Sequence, residues 1–288
     1  MWWIFALLSA LASLGRNIIM KDLGHKIDEY SNVLGRFIFI LPFSFFLSLL
    51  VGIPQVSSNY WFYSILAGFF VAISTLFLSK AFKYSHISLT IALWKLNVIF
   101  LLILEIILLK AQINILGILG VIVTFIGIYL LNIKKARTSL WKPFTLIFEN
   151  KGMKYALLSA IFLAPSFLSF KITVDLSDPY FPAFTNYFFA TLFTLPAVLK
   201  MSKPSYTSYR KYWKNFIVMG FFAFLSTVLA TIGYQQSFAT YVEAVKQSEV
   251  LFALVAGIIF FKEREKVKEI WLGCCVIIVG ICLVIFSN

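Results

Sequence analysis

Three ionisable side chains lie close together in an apolar stretch near the end of the chain. Glu243, Lys246 and Glu249 interrupt a run that otherwise predicts a membrane-spanning helix from Val242 to Phe261. A charge at the centre of such a helix costs about 2.5 to 3.5 kcal/mol on insertion scales, whereas each Leu, Ile, Val or Phe contributes only about 0.3 to 0.6 kcal/mol. We therefore expect these side chains to face a watery cavity or one another.

The spacing of these charges allows two interpretations. Residues three and four apart share a helix face, so Glu243, Lys246 and Gln247 lie on one side, with Glu249 at its edge. In the first interpretation Lys246 binds an anionic group of a substrate, while Glu249 or Glu243 meets a cationic group or carries a proton. In the second, Lys246 pairs internally with Glu249 or Glu243, which lets the helix insert and holds the protein together. The spacing leaves both open.

The elements that position these residues are apolar helices. The chain has 288 residues, of which 61% are hydrophobic and 13% charged, and its mean hydropathy is +0.91. This is too apolar for a soluble domain. About ten apolar runs are long enough to cross a hydrocarbon core of about 30 Å as helices. They are Trp2 to Met20, Val33 to Gly52, Tyr60 to Ser79, Ile87 to Leu109, Ile113 to Leu131, Met153 to Thr173, Tyr180 to Leu199, Phe216 to Ser237, Val242 to Phe261 and Glu269 to Phe286. The sequence thus predicts an all-α, multi-pass integral membrane protein of the cell membrane.

The two halves of the chain repeat. Ala6-Leu7-Leu8-Ser9-Ala10 recurs at 156–160, and Gly68-Phe69-Phe70 recurs at 220–222. We predict a first five-helix repeat at residues 1–133, a basic linker at 134–152 and a second five-helix repeat at 153–288. Because five is an odd number of spans, the second repeat enters the membrane from the opposite side. Inverted repeats of this kind place the substrate near the midplane and work by alternating access.

The repeat brings polar residues of the fourth and ninth spans to equivalent depths. An ungapped alignment pairs Trp94 with Lys246, Lys95 with Gln247 and Asn97 with Glu249. These pairs, together with Arg16 of the first span, Glu243 of the ninth and Tyr241 just before the ninth, form the predicted substrate site. The candidates are Lys95, Lys246, Glu249, Trp94, Asn97, Gln247, Glu243, Arg16 and Tyr241. Arg16 could reach the cavity or snorkel to the nearer surface.

Three other features have structural interpretations. Arg36 lies only a few residues inside the second span, so we expect it to snorkel. Glu105 lies near Lys110, which favours a role at a helix end. Gly120 and Gly127, with their mates Gly273 and Gly280, predict close helix packing, either within the chain or in a dimer.

Several segments resemble a known family. They are Ala81-Phe82-Lys83-Tyr84-Ser85 after the third span, Tyr241 to Gln247 entering the ninth, and Phe260-Phe261-Lys262-Glu263 closing it. On these segments the sequence resembles ten-helix, EamA-type members of the drug/metabolite transporter superfamily. The resemblance implies a secondary transporter without ATP hydrolysis, whose cavity is lined by the first, third, fourth, sixth, eighth and ninth helices. Many members carry a proline in the fourth and ninth helices, where this chain has 95–97 and 247–249, so its cavity should be more polar.

Charge distribution bears on topology and partners. The formal net charge is +13, but most Lys and Arg residues lie in short loops beside apolar spans, so no nucleic-acid partner is expected. The loops after spans one, three, five, seven and nine carry most of them, which predicts cytoplasmic loops there and both termini outside. The family resemblance implies cytoplasmic termini instead, so the orientation stays open.

These observations favour a transporter of a small anionic or zwitterionic metabolite, such as an amino acid or related carboxylate. Five basic residues in the spans outnumber three acidic ones, which weakly supports that substrate sign. The alternative is a proton-coupled efflux pump for hydrophobic cations, with Glu249 exchanging proton for drug; Lys246, one turn away, argues against it. No enzyme motif or cofactor is expected, because the chain has no phosphate loop, nucleophile elbow or metal-ligand spacing. The expected partners are the small-molecule substrate and the lipid bilayer, with proton coupling left open and either a monomer or a homodimer as the assembly.

Overall fold

The computed structural model describes residues 1–24, 26–85, 87–136, 139–141, 145, 149–201, 206–253, 255 and 264–287. Within these ranges the regular structure is helical, and no strand occurs. The helices are α1 (Trp2–Gly24), α2 (Glu29–Val51), α3 (Ser58–Tyr84), α4 (Ile87–Trp94), α5 (Asn97–Leu108), α6 (Ile115–Ala136), α7 (Lys151–Asp175), α8 (Phe181–Met201), α9 (Tyr206–Lys211), α10 (Trp213–Gln236), α11 (Ala239–Lys246) and α12 (Arg264–Phe286).

Six helices are long and apolar enough to cross a membrane. They are Trp2–Met20, Tyr30–Val51, Ser58–Ala81, Lys151–Asp175, Phe181–Lys200 and Trp213–Gln236. Shorter apolar helices cover Asn97–Leu108, Ile115–Leu130 and Leu272–Phe286. The prediction of an all-α, multi-pass membrane protein is therefore confirmed in this coarser form.

The fourth and ninth predicted spans differ from the continuous helices that hydropathy suggests. The span predicted from Ile87 to Leu109 consists of α4 and α5, separated by a turn at residues 95 and 96. The ninth span begins as α11, turns at residues 247 and 248, and is helical again over 249–253. Of the rest of that predicted span, residues 254 and 256–261 lie outside the described residues. Hydropathy averaged over a whole span could not show the two turns, because the apolar residues further along each span outweigh polar residues such as Lys95 and Gln247.

Chain contacts divide the protein into two compact units, each of which combines segments of both halves. Unit 1 comprises Met1–Leu76 and Pro165–Gln236, and unit 2 comprises Phe77–Ala164 and Ser237–Asn288. This division differs from the sequence repeats, so the predicted boundaries at 133 and 153 remain a prediction about sequence duplication. Part of the predicted linker, residues 137, 138, 142–144 and 146–148, lies outside the described residues.

Unit 1 is held together by a serine seam and by aromatic contacts. The Ser9 hydroxyl donates to the Ser226 carbonyl at 2.7 Å, and the Ser13 and Ser226 hydroxyls lie 2.6 Å apart, which joins α1 to α10. The rings of Phe39 on α2 and Phe216 on α10 stack with centroids 5.2 Å apart. Small polar groups and large rings together let the helices approach closely, as is usual for spans within a membrane.

Unit 2 is built on close packing of α6 against α12. A Cβ at Gly120 would lie 2.7 Å from the backbone nitrogen of Val284, and one at Gly127 would lie 2.7 Å from that of Ile277. A Cβ at Gly280 would likewise overlap the backbone of Thr124. The predicted glycine stripe therefore packs helices of the two repeats against each other within the chain.

Candidate functional site

The first helix break lies between α4 and α5. The Leu96 N–H donates to the Leu93 carbonyl at 3.0 Å, and the Val98 N–H donates to the Lys95 carbonyl at 3.3 Å. Both bonds span three residues, whereas α-helical bonds span four, so the chain passes through one tighter 3₁₀-like turn. Such turns inside a helix often mark functional positions.

The second break repeats this pattern at the end of α11. The Ser248 N–H donates to the Val245 carbonyl at 3.0 Å, and the Val250 N–H donates to the Gln247 carbonyl at 3.0 Å. The repeat alignment pairs Leu96 with Ser248 and pairs the following donors in the same way. The two breaks therefore occupy equivalent positions and share these two hydrogen bonds. They differ one residue earlier, where the Lys95 N–H donates across four residues to the Ile91 carbonyl and the Gln247 N–H donates across three to the Ala244 carbonyl.

Each break is capped by an amide side chain predicted to bind substrate. In a continuous helix the Trp94 carbonyl would accept from the Val98 N–H; here it accepts from Asn97 Nδ2 at 2.7 Å. The Glu243 carbonyl would accept from the Gln247 N–H, but it accepts from Gln247 Nε2 at 3.0 Å. Asn97 and Gln247 thus satisfy the carbonyls that the breaks release, a structural task that spacing alone did not reveal.

Glu243 and Lys246 form the internal pair that the sequence offered as its second interpretation. Lys246 Nζ lies 2.6 Å from Glu243 Oε1, and the two side chains are 16% and 6% exposed. The partner is Glu243, one turn before Lys246, while the side chain of Glu249 is partly exposed at the far side of the break. The charges of the pair compensate each other within α11.

Lys95 and Trp94 form the corresponding surface of the first break. Lys95 Nζ lies 4.9 Å from the centroid of the Trp94 ring, within the range of a cation–π interaction. Trp94 Nε1 is buried and has no hydrogen-bond partner among the described residues. An unpartnered indole donor beside an ammonium group is suited to an acceptor that carries negative charge.

The two breaks meet at one narrow gap in unit 2. Lys95 and Gln247 both line it, opposite Thr124 and Phe125 of α6. The gap is too narrow for a solute in this conformation. Gln247 Oε1 and the hydroxyl of Ser248, buried side chains in the second break, have no hydrogen-bond partner in the described part of the chain. Ser248 was not among the predicted residues, although the alignment places it at the turn.

Glu105 serves the start of a helix other than its own. This fully buried residue of α5 accepts hydrogen bonds from the Ala239 N–H at 2.8 Å and the Thr240 N–H at 3.0 Å, one on each carboxylate oxygen. The residue before α11 is Phe238, whose side chain makes no capping bond. Glu105 therefore supplies the anionic cap that the N-terminus of α11 lacks. The sequence predicted a role at the end of the fourth span, near Lys110; the carboxylate lies instead at the start of α11, which carries Glu243 and Lys246.

The other two predicted residues have separate surroundings. Tyr241 is buried with its ring edge-on to Phe238, centroids 5.4 Å apart, and a Cβ at Gly117 would overlap the Tyr241 hydroxyl. Arg16 belongs to unit 1, where its Nε donates to the Asn17 side chain at 3.0 Å. The structure thus brings Trp94, Lys95, Asn97, Glu243, Lys246, Gln247 and Glu249 to the two breaks of unit 2.

Comparison with known families identifies this architecture. The EamA-like transporter family matches residues 1–133 and residues 150–286. The chain belongs to the EamA-like transporter family. One crystal structure of a protein matches this EamA-like chain with a TM-score of 0.76 at 12% sequence identity, covering 99% of this chain and 97% of the other. At that identity the likeness shows the fold alone. No curated protein matches the sequence.

The family match confirms the resemblance to EamA-type transporters that the sequence analysis described. It also agrees with the apolar helices in assigning this EamA-like protein to a family of membrane transporters. The family match falls on the two halves of the chain and so supports a two-repeat architecture.

Proposed function

We propose that this protein is a ten-span secondary transporter of the cell membrane that moves a small anionic or zwitterionic metabolite by alternating access. The two repeats are inverted, the fourth and ninth spans are broken, and the breaks contact the substrate. The protein carries out no covalent chemistry and uses no cofactor. The single observation that carries the proposal is the pair of equivalent breaks in unit 2, which converge on Lys95 and Gln247.

Broken helices in a membrane protein need a reason. Non-helical backbone is tolerated at membrane depth only where it is buried in protein or lines a cavity. Transporters with repeats use interrupted helices to present polar groups to the substrate. Here the breaks carry three buried groups that have no hydrogen-bond partner among the described residues: Trp94 Nε1, Gln247 Oε1 and Ser248 Oγ. Each such group costs about 1 to 3 kcal/mol when left unmet, which a bound solute would recover.

The sign of the substrate is argued from the first break. Lys95 beside the Trp94 indole presents an ammonium group and an N–H donor to the same region. The unpartnered oxygen of Gln247 can accept a hydrogen bond from a hydroxyl or ammonium group. Together these groups fit a solute with a carboxylate and a nearby donor better than a hydrophobic cation.

One observation supports the second candidate, a proton-coupled efflux pump for hydrophobic cations. Glu243 compensates the charge of Lys246 at 2.6 Å. Lys246 therefore repels a cation near Glu249 less than its position in the sequence suggested. A partly exposed Glu249 beside a compensated lysine could exchange a proton for a cation, so the experiment must separate the two functions.

Uptake by proteoliposomes of labelled amino acids, hydroxy acids and hydrophobic cations, with and without a pH gradient, tests both functions. The leading proposal expects carboxylate uptake that falls about tenfold or more in Lys95→Gln, because a charged hydrogen bond contributes about 1.5 to 3 kcal/mol. The alternative expects cation transport that requires the pH gradient and is lost in Glu249→Gln.

Lys151→Gln is the matched control, since Lys151 is exposed near the start of α7, away from the breaks along the chain. Carboxylate uptake should be unchanged in this variant. If no solute in the panel is transported by the parent protein, the transport proposal is wrong, and a receptor or scaffold becomes the better account.

A further inference from the structure

Glu105 is a buried carboxylate of unit 2 that the proposed transport mechanism does not use. It lies in α5, is 0% exposed, and accepts from the Ala239 N–H at 2.8 Å and the Thr240 N–H at 3.0 Å. These are the first two residues of α11. Ser, Thr and Asn also cap helix starts and carry no charge. A charge within a spanning helix is costly and by default functional, so the carboxylate calls for a further explanation.

The hydroxyl of Thr240 provides a second polar group at this helix start. Thr240 is fully buried, and its Oγ1 has no hydrogen-bond partner within the described ranges. The N–H of the same residue donates to Oε2 of Glu105, which holds the carboxylate beside this residue. A protonated carboxyl group gains an O–H donor that needs an acceptor, and a hydroxyl oxygen can accept it. Thr240 thus offers a neutral Glu105 an acceptor that no described residue uses.

The electrostatic surroundings of Glu105 come from the helices packed at this position, since α5 packs against α6 and α11. Their other titratable groups are Tyr129, Lys134 and Lys135 on α6, Tyr241, Glu243 and Lys246 on α11, and Lys110 just after α5. Glu243 and Lys246 compensate each other at 2.6 Å, and the Tyr241 hydroxyl lies against Gly117 of α6. The carboxylate of Glu105 contacts the positive end of α11 directly, so the contact is strong only while Glu105 is ionised.

A proton on Glu105 would loosen the start of α11. Hydrogen bonds to an ionised group are about twice as strong as those between neutral groups, so protonation weakens both backbone bonds. α11 has only eight residues between this cap and the turn at residues 247 and 248. A loosened start allows this short segment to move about the turn, as hinged elements do. Gln247, which lines the gap with Lys95, then moves with it.

We propose that Glu105 and Thr240 form a proton-binding site that controls the position of α11. The ionised carboxylate holds the helix start. A proton from water binds one carboxylate oxygen, the new O–H donates to the Thr240 hydroxyl, and the two backbone N–H groups lose their charged acceptor. The exposed Lys110 is five residues further along, about 7.5 Å of helix, so the proton has a short path from the surface. The inference rests on the proposed transport function and adds proton control of the break in the ninth span.

Proton binding is tested on the full-length protein in detergent by infrared spectroscopy, which detects the C=O stretch of a protonated carboxyl group. Lowering the pH should produce a band in the parent that is absent in Glu105→Gln. In Thr240→Val the band should move to higher frequency, because the carboxylic O–H loses its acceptor, whereas Thr240→Ser should keep the parental frequency. A role confined to capping predicts no such shift. Glu149→Gln is the matched control, since Glu149 is exposed, and the band should persist.

Amide hydrogen exchange measures the release of α11 in the same samples. The exchange of the Ala239 and Thr240 amides is divided by the rate of an unfolded peptide at the same pH, which removes the intrinsic effect of pH. Protection should fall about tenfold in the parent as the carboxyl band appears, because two charged hydrogen bonds become neutral ones. In Glu105→Gln, which resembles the protonated residue, protection should be low at every pH.

Transport gives the functional readout in proteoliposomes that have the same pH on both sides. Uptake of the amino acid or hydroxy acid that the parent moves best should rise as the pH falls, in step with the band. In Glu105→Gln, uptake should not follow the pH in this way. The protonation of the solute itself is the same for parent and variant, so the comparison removes it. Thr240→Val keeps the test informative if Glu105→Gln fails to fold, since its uptake should rise only at a lower pH.

Two results would overturn the proton site. One is a carboxyl band that persists in Glu105→Gln or keeps its frequency in Thr240→Val; the other is protection of the α11 start that does not change with pH in the parent. Both are measured without transport, so a protein that binds the proton and releases α11 but moves no solute would refute only the transport proposal. Uptake with the parental pH dependence in Glu105→Gln would refute only the control of transport by this site.

Discussion

The breaks in the fourth and ninth helices share a backbone and differ in their side chains. Both replace four-residue hydrogen bonds by three-residue ones at equivalent positions, and both use an amide to meet a released carbonyl. The ninth helix carries Glu243 and Lys246 where the fourth carries Ile91 and Trp94. The fourth helix therefore shows that this break forms without an ion pair. The pair is an addition to the break and not a condition for it.

A second difference concerns the helix that precedes each break. The first two N–H groups of α11 donate to the Glu105 carboxylate, whereas the alignment pairs Glu105 with Gly257, which has no side chain to accept such bonds. The start of α11 is thus capped by Glu105 of the first repeat. The start of α4, its counterpart in the first repeat, cannot be capped in this way, because the second repeat has Gly257 at the equivalent position. The two repeats therefore share the backbone turn but differ in how the helix before the turn is capped.

Removing the anchor should have the largest effect on stability. Glu105→Ala leaves two buried N–H groups unmet, so we expect the free energy of unfolding to fall by about 3 to 5 kcal/mol. Equilibrium unfolding in mixed micelles measures this change. Glu105→Gln keeps one acceptor and should lose about half as much. The control is Ile107→Ala on the same helix, whose side chain is 64% exposed; an equal loss in this variant would contradict the anchoring role.

Transplanting the fourth helix's side chains into the ninth should separate stability from transport. Lys246→Met alone leaves Glu243 buried and uncompensated, which should cost about 3 to 5 kcal/mol. The double variant Glu243→Ile with Lys246→Trp should recover to within about 1 kcal/mol of the parent, because replacing a buried pair by apolar residues is often neutral. Unfolding of single and double variants measures the coupling.

The same double variant is informative in transport. If Glu243 and Lys246 serve the substrate, uptake should fall although the fold is restored. Parental uptake in a fully stable double variant would show that the pair serves only insertion, in agreement with the fourth helix, which manages without it.

The two amide caps should differ in the size of their effect. Asn97→Leu removes the donor to the Trp94 carbonyl and should cost about 1 to 2 kcal/mol. Gln247→Leu removes the donor to the Glu243 carbonyl but also an unpartnered Oε1, so its net cost should be smaller. Uptake should show the reverse order. A greater loss of stability in Gln247→Leu than in Asn97→Leu would contradict the inference that Gln247 Oε1 lacks a hydrogen-bond partner among the described residues.

Lys95→Met should have the smallest effect on stability, below about 1 kcal/mol, because the cation–π contact with Trp94 is partly exposed. Thermal unfolding checks this value, and Lys95→Arg, which retains the charge and the stacking, is the matched control. Destabilisation of several kcal/mol by Lys95→Met would show that Lys95 is a structural residue of the break.

The fold was predictable where a signal is local or repeated. Hydropathy located the spans, and the glycines at 120, 127, 273 and 280 indicated close packing. The breaks were not predicted, because neither contains proline or glycine; the polar residues at the positions where relatives carry proline were the available signal. Capping of α11 by Glu105 was inaccessible, since it joins residues 134 positions apart. The sequence predicted either Glu243 or Glu249 as the partner of Lys246. The ion pair with Glu243 depends on the side-chain rotamers in the folded helix, which spacing alone does not determine.

The Glu105 cap also has a consequence for the biogenesis of the protein. The acceptor belongs to the first half of the chain and the donors to the second, so ribosomal synthesis delivers the carboxylate to the membrane well before Ala239 emerges. The first half then presents a receptor for the incoming half-helix. If the two halves were synthesised as separate chains, they would have to associate before the start of α11 entered the membrane. Until then, its N–H groups would lack the Glu105 carboxylate as an acceptor.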